Sequence, residues 1–404
     1  MGTHTVPATP APSRKVPGPL QFFFYTRGDS RLASSRTRAY QYVPVLRSLG
    51  HSVRTLVDQP YWDCIIATCS SPIRRLLLVL LQKTFPLFHW YNRLRLLLTV
   101  RKDEVVIVQK VLLPSWLLRK IKDRSALLLF DFDDAIFLPK FPGAARRFRL
   151  CTSLADGVIL ENNFNRRHVL PFNENILKIT GPVDCRYYTP RADKPSGQCL
   201  GWLGSPSTEI YLSLIVEPLR RLLDEFPDAE LLLVGATHKP FEHRRIRLVP
   251  WSLSAEKDSL TRMDIGLMPL KASDWERGKG GYKALVYMAM EIVPVVTPLE
   301  ISAEIVEDGI TGYHATDKEE WYERLKYLLN SPEQRRSMGR NARNRVLQNY
   351  SLEKAAEKLV AFVENLLYGK ESSRRKCRTI APPVSTSPRP CSSLSLDSPR
   401  RDLD

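Results

Sequence analysis

The chain reads, from residue 275 to residue 296, Trp-Glu-Arg-Gly-Lys-Gly-Gly-Tyr-Lys-Ala-Leu-Val-Tyr-Met-Ala-Met-Glu-Ile-Val-Pro-Val-Val. A charged, glycine-rich loop precedes a short apolar helix, and an apolar strand follows the helix. Backbone N–H groups at a helix N-terminus, together with an ammonium group, form a site for anions and above all for phosphate. The stretch therefore predicts a ligand that carries a phosphate or a diphosphate.

Short apolar runs alternate with amphipathic stretches on both sides of this segment. Near-continuous apolar strands separated by helices are typical of parallel sheets that are covered on both faces. In the first half we predict strands at residues 20–25, 105–109, 127–131 and 157–160. In the second half we predict strands at residues 200–203, 230–234, 265–269 and 293–297. The pattern predicts an α/β protein of two domains.

The overall composition agrees with two domains and indicates an anionic partner. The chain has 404 residues, of which 43% are hydrophobic, and this is enough for two cores. The net charge is +17, which favours phosphate ligands, acidic lipids or nucleic acid as partners. Residues 61–122 hold eleven basic and three acidic side chains, a net charge of +8.

The cysteines and the ends of the chain bear on location. The seven cysteines are scattered without a CxxC pair or a zinc-like spacing, which suits a reducing cytoplasm and predicts no metal site. Residues 1–18 lack the apolar core of a signal peptide, and no apolar run reaches 18 residues. We expect a cytoplasmic protein with disordered ends at 1–18 and 369–404, where Ser, Pro and Arg predominate.

The second half resembles the C-terminal domain of group 1 (family 4) glycosyltransferases, which have the GT-B fold. The motifs that carry this resemblance follow one another in order at residues 201–208, 230–235, 264–270, 275–296 and 304–313. The first half resembles the same family more loosely, at residues 35–40, 50–51, 130–134 and 155–159.

The resemblance implies two facing Rossmann-like domains with a cleft between them. The N-terminal domain, at residues 19–190, would receive the acceptor. The C-terminal domain, at residues 191–350, would bind a nucleotide-sugar. A last helix at residues 351–368 would cross back to the first domain.

Several residues of the second domain are expected to bind the donor. Transfer from a nucleotide diphosphate needs the leaving diphosphate to be stabilised by N–H groups and cations. Lys283 either reaches the ligand or faces solvent, and Gly204 with Ser205 forms either a diphosphate-binding turn or an ordinary strand end. The resemblance places Trp251 near the base, where it could stack on the ligand or pack in the core. The full set of candidates is Gly204, Ser205, Trp251, Arg277, Lys279, Gly280, Gly281 and Lys283.

The glutamates of the chain depart from the family pattern. Many members carry Glu-x7-Glu across this loop and helix, and here Val286 stands at the second position. Glu276 lies two residues before the first position of this pair, and it is our candidate for the catalytic role of the first glutamate.

Acidic residues follow a strong apolar strand of the first domain. Asp131, Asp133 and Asp134 are catalytic candidates, because the carboxyl ends of strands in an open α/β sheet face the cleft. They could orient acceptor hydroxyls or stabilise an oxocarbenium-like transition state. Alternatively, Asp133 or Asp134 caps the next helix. An Asp-x-Asp pair binds a metal in other glycosyltransferases, but the GT-B resemblance argues against a metal here.

Two further pairs of the first domain are acceptor or phosphate candidates. Arg36 and Arg38 begin a predicted helix over residues 35–49, where they could hold phosphate or an acidic acceptor, or form a solvated face. Glu161 and Asn162 follow the strand at 157–160 and are expected to point toward the cleft.

The basic stretch at 61–122 also contains apolar and aromatic runs, at residues 76–81 and 85–91. Such a segment could lie in a membrane interface, where each Lys or Arg near anionic lipid contributes roughly 1 kcal/mol. The alternative is a buried pair of helices with basic edges.

These observations predict a retaining, metal-independent hexosyltransferase. It would use a nucleotide-sugar and no separate cofactor, and it would act on a glycan or lipid-linked acceptor at the inner membrane face. The alternative is a non-catalytic GT-B protein that binds a glycan or a nucleotide. Nucleic-acid binding is not expected, because no basic platform interleaved with aromatic residues and no helix-turn-helix pattern is present.

Overall fold

The computed structural model describes residues 18–59, 71, 73–74, 85–138, 143–191 and 197–380. The predictions of disorder at 1–17 and 381–404, and that of an apolar membrane segment at 76–81, lie outside these ranges. Two six-stranded sheets, parallel throughout, confirm the predicted α/β class. No helix in the ranges described is both long and apolar enough to cross a membrane.

The first domain is built on a sheet with the order β2-β1-β3-β4-β5-β6. Its strands are Gln21–Thr26 (β1), Ser52–Val57 (β2), Glu104–Gln109 (β3), Leu127–Asp131 (β4), Gly157–Leu160 (β5) and Ile176–Lys178 (β6). Its helices are Ala33–Ser35 (α1), Tyr42–Ser48 (α2), Phe85–Thr99 (α3), Ser115–Arg124 (α4), Ala144–Leu154 (α5) and Asn163–Val169 (α6). The central strands are apolar along their length because helices cover both faces.

The second domain repeats this plan with the order β12-β11-β10-β7-β8-β9. Its strands are Cys199–Leu203 (β7), Glu230–Val234 (β8), Ile246–Val249 (β9), Ile265–Met268 (β10), Val293–Val296 (β11) and Tyr313–His314 (β12). A 3-10 helix at Glu209–Ile215 leads into Val216–Glu225 (α7), which is followed by Leu253–Leu260 (α8), Asp274–Arg277 (α9), Tyr282–Ala289 (α10), Ile301–Ile305 (α11), Lys318–Asn330 (α12) and Pro332–Asn349 (α13).

The last helix, Leu352–Ile380 (α14), returns to the first domain, where Leu359 and Val363 are buried in its core. The chain passes between the domains at two places, and these lie side by side. The N–H of Val183 donates to the carbonyl of Tyr350 at 2.9 Å, and the N–H of Leu352 donates back to the carbonyl of Val183 at 2.9 Å. The two passages are therefore joined by a short parallel ladder.

The last helix continues beyond residue 368, where disorder was predicted, and ends at Ile380. Composition alone suggested the earlier end, since Ser and Arg dominate this part of the sequence. In the structure the Lys370 ammonium contacts the Asp156 carboxylate at 2.8 Å and the Ala126 carbonyl at 3.0 Å. These contacts with the first domain extend the helix.

The predicted helix at 35–49 is interrupted. Residues Arg36–Tyr40 form a π-helical turn between α1 and α2, and this turn buries Thr37, Arg38 and Ala39. Turns of this kind are rare and occur frequently at functional sites. The turn faces the carboxyl ends of β4 and β5, where the acidic candidates lie.

Candidate active site

A cleft with a cavity volume of about 170 Å³ lies between the two domains and is open to solvent. The carboxyl ends of β4 and β5 form one wall, and the loop before α10 forms the other. The residues of the first domain that line it are Ala33, Ser34, Thr37, Asp133, Asp134 and Glu161. Those of the second are Trp202, Thr208, Tyr211, Met268, Pro269, Leu270, Lys279, Gly280, Gly281, Tyr282 and Lys283.

The loop before α10 presents backbone N–H groups. Gly281 has a φ of +68°, which glycine adopts without strain, and a Cβ there would meet Ile305 Cδ1 at 2.6 Å. No carbonyl of the described residues accepts from the N–H groups of Gly280, Gly281, Tyr282 or Lys283. Because the positive end of the helix dipole lies here as well, the arrangement suits an anion.

Two ammonium groups complete the anion site. Lys279 Nζ lies 5.8 Å from the ring centre of Trp275, and Lys283 Nζ lies 4.5 Å from that of Trp202. Neither lysine pairs with a carboxylate of the described ranges. Burial, and secondarily the nearby charge of Lys279, lowers the pKa of Lys283 to about 7. The negative charge of a bound anion would offset both effects and raise the pKa of Lys283.

Glu276 lies behind this wall, beneath Tyr211. Its carboxylate accepts from the hydroxyl groups of Tyr211 and Ser273 and is 7% exposed. Burial alone would raise the pKa of Glu276, but these two hydrogen bonds outweigh it and lower the pKa. Tyr211, which the sequence did not single out, is the member of this group that lines the cleft.

On the opposite wall, Asp133 and Asp134 share one cation. Lys110 Nζ lies 2.6 Å from Asp133 Oδ1 and 2.5 Å from Asp134 Oδ2. Burial opposes ionisation of Asp133, but the Lys110 ammonium holds its pKa well below the usual range. Lys110 was missed at the sequence level, although it directly follows a strand. It has a φ of +58°, an uncommon conformation for a side-chain-bearing residue.

Arg38 does not face the cleft as a phosphate ligand. Its guanidinium is buried, and it donates to both oxygens of Asp131, at 3.0 and 2.6 Å, and to Glu161 Oε1 at 3.1 Å. It also donates to the carbonyl of Ile179 at 2.8 Å. Because these four bonds occupy it, the prediction that Arg38 binds phosphate is corrected to a structural ion pair. Asp131 is likewise placed behind the cleft wall.

Glu161 reaches across to the second domain. Its side chain is 4% exposed, and one oxygen, Oε2, lies directly over Gly280. Burial raises the pKa of Glu161 to about 8, against the opposing charge of Arg38 and with the help of Asp133. Asn162 also reaches across, since its side-chain amide donates to the carbonyls of Arg277 and Lys279 at 3.3 and 3.0 Å.

Other predicted donor residues lie at the margins of the cleft. Gly204 packs against Trp202, so a Cβ there would lie 1.9 Å from the indole ring. The exposed Ser205 bonds locally with Ser207 and with Thr208, which lines the cleft. The Arg277 guanidinium turns away to the Glu300 carboxylate at 3.5 Å and is not part of the cleft lining.

Arg36 and Trp251 meet across the domains. The Arg36 guanidinium lies 5.2 Å from the centre of the Trp251 ring, and the indole N–H donates to Glu256 Oε2 at 2.6 Å. Trp251 is 37% exposed, so the alternative that it packs in the core is wrong. Its stacking on a base stays a prediction, and in the structure its ring contacts the Arg36 guanidinium.

The described residues contain no group of three or more His, Cys, Asp or Glu side chains arranged to hold a metal ion. The carboxylates of Asp133 and Asp134 instead contact an ammonium group.

The comparisons with known proteins agree with this geometry. Residues 198–331 match the family model described as Glycosyl transferases group 1. A search of curated proteins found no match.

Among solved structures, the fold is similar to that of a glycosyltransferase from Rickettsia africae, with a TM-score of 0.61, 16% identity and coverage of 86% of this chain and 99% of that chain. It is similar to HepE from Anabaena in complex with UDP, with a TM-score of 0.60, 12% identity and coverage of 86% and 100%. A sucrose-phosphate synthase from Thermosynechococcus elongatus gives a TM-score of 0.57, 12% identity and coverage of 87% and 100%. These likenesses confirm the predicted GT-B fold.

Proposed function

We propose that this chain is a retaining, metal-independent glycosyltransferase of family 4, which moves a hexose from a nucleotide-sugar to a glycan or lipid-linked acceptor. One observation carries the proposal. Four backbone N–H groups with no acceptor among the described residues, together with the ammonium groups of Lys279 and Lys283, face carboxylates across an interdomain cleft. A nucleoside diphosphate supplies the negative charge that this wall lacks.

The chemistry follows from where charge develops. As the glycosidic bond to the donor breaks, negative charge grows on the leaving diphosphate, and the N–H groups and ammonium groups stabilise it. Positive charge grows on the sugar, and Asp133 and Asp134 lie on the facing wall, where they can stabilise it or orient an acceptor hydroxyl. HepE also has structures with UDP-glucose, and this supports UDP as the nucleotide.

Recognition of the donor ribose must differ from the common family pattern. Val286 stands where a second glutamate is frequent, and its side chain is 1% exposed within the core. The polar groups on this wall include the ammonium of Lys283, one helical turn before Val286, and the hydroxyl of Tyr211, which donates to Glu276. We assign sugar and ribose contacts to these groups.

The acceptor is proposed to be presented at an anionic membrane surface. On α3 and α4 the indole rings of Trp90 and Trp116 stack at 6.2 Å, and each residue is 48% exposed. Leu98, which is 69% exposed, extends the apolar surface. Arg95 and Arg119 are exposed on the same two helices, and α3 contains no acidic residue. Exposed indoles flanked by arginines suit the interface of an anionic bilayer.

The donor assignment is tested by Lys279→Ala, with Lys326→Ala as the matched control. Lys326 also lies over an aromatic ring, that of Tyr322 at 5.2 Å, but it pairs with Glu225 away from the cleft. We expect turnover of UDP-hexoses to fall at least 100-fold in Lys279→Ala, to persist in Lys326→Ala and to be unaffected by a chelator. Turnover unchanged in Lys279→Ala would refute the site, and loss of turnover with a chelator would refute metal independence.

The departure at Val286 favours a second candidate function, a GT-B protein that binds a nucleotide or glycan without catalysis. Calorimetry with UDP and a product assay on the same sample separate the two. Binding with retention of the donor's anomeric configuration in a transferred product supports the first function, and binding without any product supports the second.

The membrane assignment is tested with vesicles. Binding to vesicles of anionic lipid should weaken at least tenfold in Trp90→Ala/Trp116→Ala and at high salt, and it should persist in Tyr327→Ala, an exposed aromatic of the second domain. Equal binding to neutral and anionic vesicles would contradict the proposed surface.

A further inference from the structure

The junction of β5 and α6 holds the anion-binding loop from the opposite domain. Three residues of this junction contact the loop: Glu161, Asn162 and Asn165. The Asn162 amide donates to the carbonyls of Arg277 and Lys279, as described above. The Asn165 amide donates to the carbonyl of Gly278 at 3.0 Å. Three consecutive carbonyls of the loop therefore accept bonds from the first domain.

The hydrogen bonds that the carbonyls of the loop accept also fix the direction of its N–H groups. In a planar trans peptide unit the carbonyl of one residue and the N–H of the next point in opposite directions. Here the Lys279 carbonyl faces Asn162, so the Gly280 N–H points away from Asn162, and the N–H groups of Gly280 and Gly281 have no acceptor among the described residues. The hydrogen bonds to the carbonyls of residues 277–279 thus hold the loop in a conformation in which these N–H groups are available to an anion.

The burial of these asparagines shows how closely they fit. Asn162 is 1% exposed and Asn165 is 0% exposed. The Asn165 side-chain oxygen accepts no hydrogen bond from the described residues, although its amide donates twice, to Gly278 and to the carbonyl of Asp133 at 3.1 Å. Through these two bonds Asn165 joins the carboxylate wall to the loop.

We propose that Asn162 and Asn165 are positioning residues, which form the anion-binding geometry of the loop only when the two domains are closed on each other. The proposal rests on the proposed function for the identity of the anion, but not for the contact itself. Its consequence is that domain closure and donor binding are coupled: opening the cleft releases the three carbonyls and lets the loop lose its binding conformation.

The decisive variant is Asn162→Asp, because it keeps the cap of α6 and replaces the hydrogen bonds to the loop carbonyls by repulsion. Asn162 Oδ1 accepts from the Asn165 N–H at 2.8 Å and so caps α6, and a carboxylate can do the same. The carboxylate cannot donate, however, and it repels the two loop carbonyls. Asn162→Ser removes the donor without adding charge, and it serves as the second variant in case the charged one does not fold.

Asn173 offers a matched control inside one domain. Its amide donates to the carbonyls of Thr152 and Ala155, each at 2.9 Å, and its Oδ1 accepts from the N–H of Asn175. Asn173→Asp therefore makes the same chemical change without touching the loop.

The experiment measures two quantities on the full chain: hydrogen exchange of a peptide covering residues 274–283 without ligand, and UDP affinity by calorimetry. In Asn162→Asp we expect exchange at least fivefold faster and affinity at least thirtyfold weaker, and in Asn162→Ser about tenfold weaker affinity. Asn173→Asp should leave both quantities within twofold.

Unchanged exchange in both Asn162 variants, or equal acceleration in Asn173→Asp, would overturn the positioning role. If the unaltered chain does not bind UDP while Asn162→Asp still exchanges faster, the proposed function fails and the positioning role stands.

Discussion

Replacing Gly280 by alanine adds one methyl group at the point where the two domains are closest. The new Cβ would lie 1.2 Å from Glu161 Oε2 and 2.3 Å from Glu161 Cδ, whereas ordinary contacts begin near 3.4 Å. Either the carboxylate or the loop must therefore move by roughly 2 Å. Gly280 does not have a positive φ, so the effect of the methyl group is steric rather than a matter of backbone strain.

The contacts of Glu161 decide whether its carboxyl group or the loop that contains Gly280 moves. The Glu161 carboxyl group is buried, and its other oxygen accepts a hydrogen bond from Arg38 at 3.1 Å, so displacing it leaves a buried guanidinium with one partner fewer, at a cost of about 3 kcal/mol or more. Overpacking a tight contact costs about 1–3 kcal/mol. The loop is therefore expected to shift, and because UDP binding must restore its geometry at this cost, UDP affinity should fall about 5- to 150-fold.

The assay is a UDP titration by calorimetry, with thermal unfolding measured on the same samples. Gly369→Ala is the control for the substitution itself, because nothing lies within 4 Å of the Cβ at that position. Without the Glu161 carboxyl group, the three atoms nearest to the added methyl group are absent. Gly280→Ala should therefore weaken UDP binding much less in a Glu161→Ala chain than in the original chain. Affinity of Gly280→Ala within twofold of the original chain, or no recovery in the double variant, would refute the reasoning.

Three further predictions follow from the charges of the cleft. The pKa of Glu161 is raised by folding, so this carboxyl group stabilises the fold fully below its ordinary pKa of 4.5 and loses this contribution as the pH rises through about 8. Glu161→Gln should therefore flatten the dependence of the unfolding free energy on pH between 5 and 8. An unchanged pH dependence in denaturant titrations would contradict this. Because the pKa of Lys283 is about 7 and a bound diphosphate raises it, UDP binding at pH 7 should take up about half a proton. Calorimetry in buffers of different ionisation enthalpy should detect this uptake in the original chain but not in Lys283→Met. Lys110→Met should lower the free energy of unfolding by about 3–5 kcal/mol, because it leaves Asp133 and Asp134 without their shared cation, and Lys110→Arg should lose less; urea unfolding that shows no loss in Lys110→Met would exclude the ion pair.

Continuous apolar runs in the sequence predicted eight of the twelve strands in the described residues. Edge strands were harder to predict. Ile176–Lys178 is three residues long and half-buried, and Ile246–Val249 exposes its two central residues. Neither forms the apolar run that marks a strand covered on both faces.

The candidate site likewise contains residues that the sequence could predict and residues that it could not. The loop with Lys279 and Gly280 could be found because its glycines, charges and helix start are adjacent in the chain. Arg38 was misassigned because its partners Asp131 and Glu161 lie 93 and 123 residues away, and no local pattern indicates that pairing. Asn165 could have been noticed, since it stands three residues after the capping Asn162, but its contact with Gly278 depends on how the domains meet.

The ladder between Val183 and residues 350–352 makes the two covalent links between the domains behave as one pivot. A rotation of one domain about this pivot leaves these two hydrogen bonds in place. The displacement of any atom of the rotating domain then grows with its distance from the pivot. Contacts that bridge the domains, such as that of Arg36 with Trp251, must part before the cleft can open to admit a sugar nucleotide.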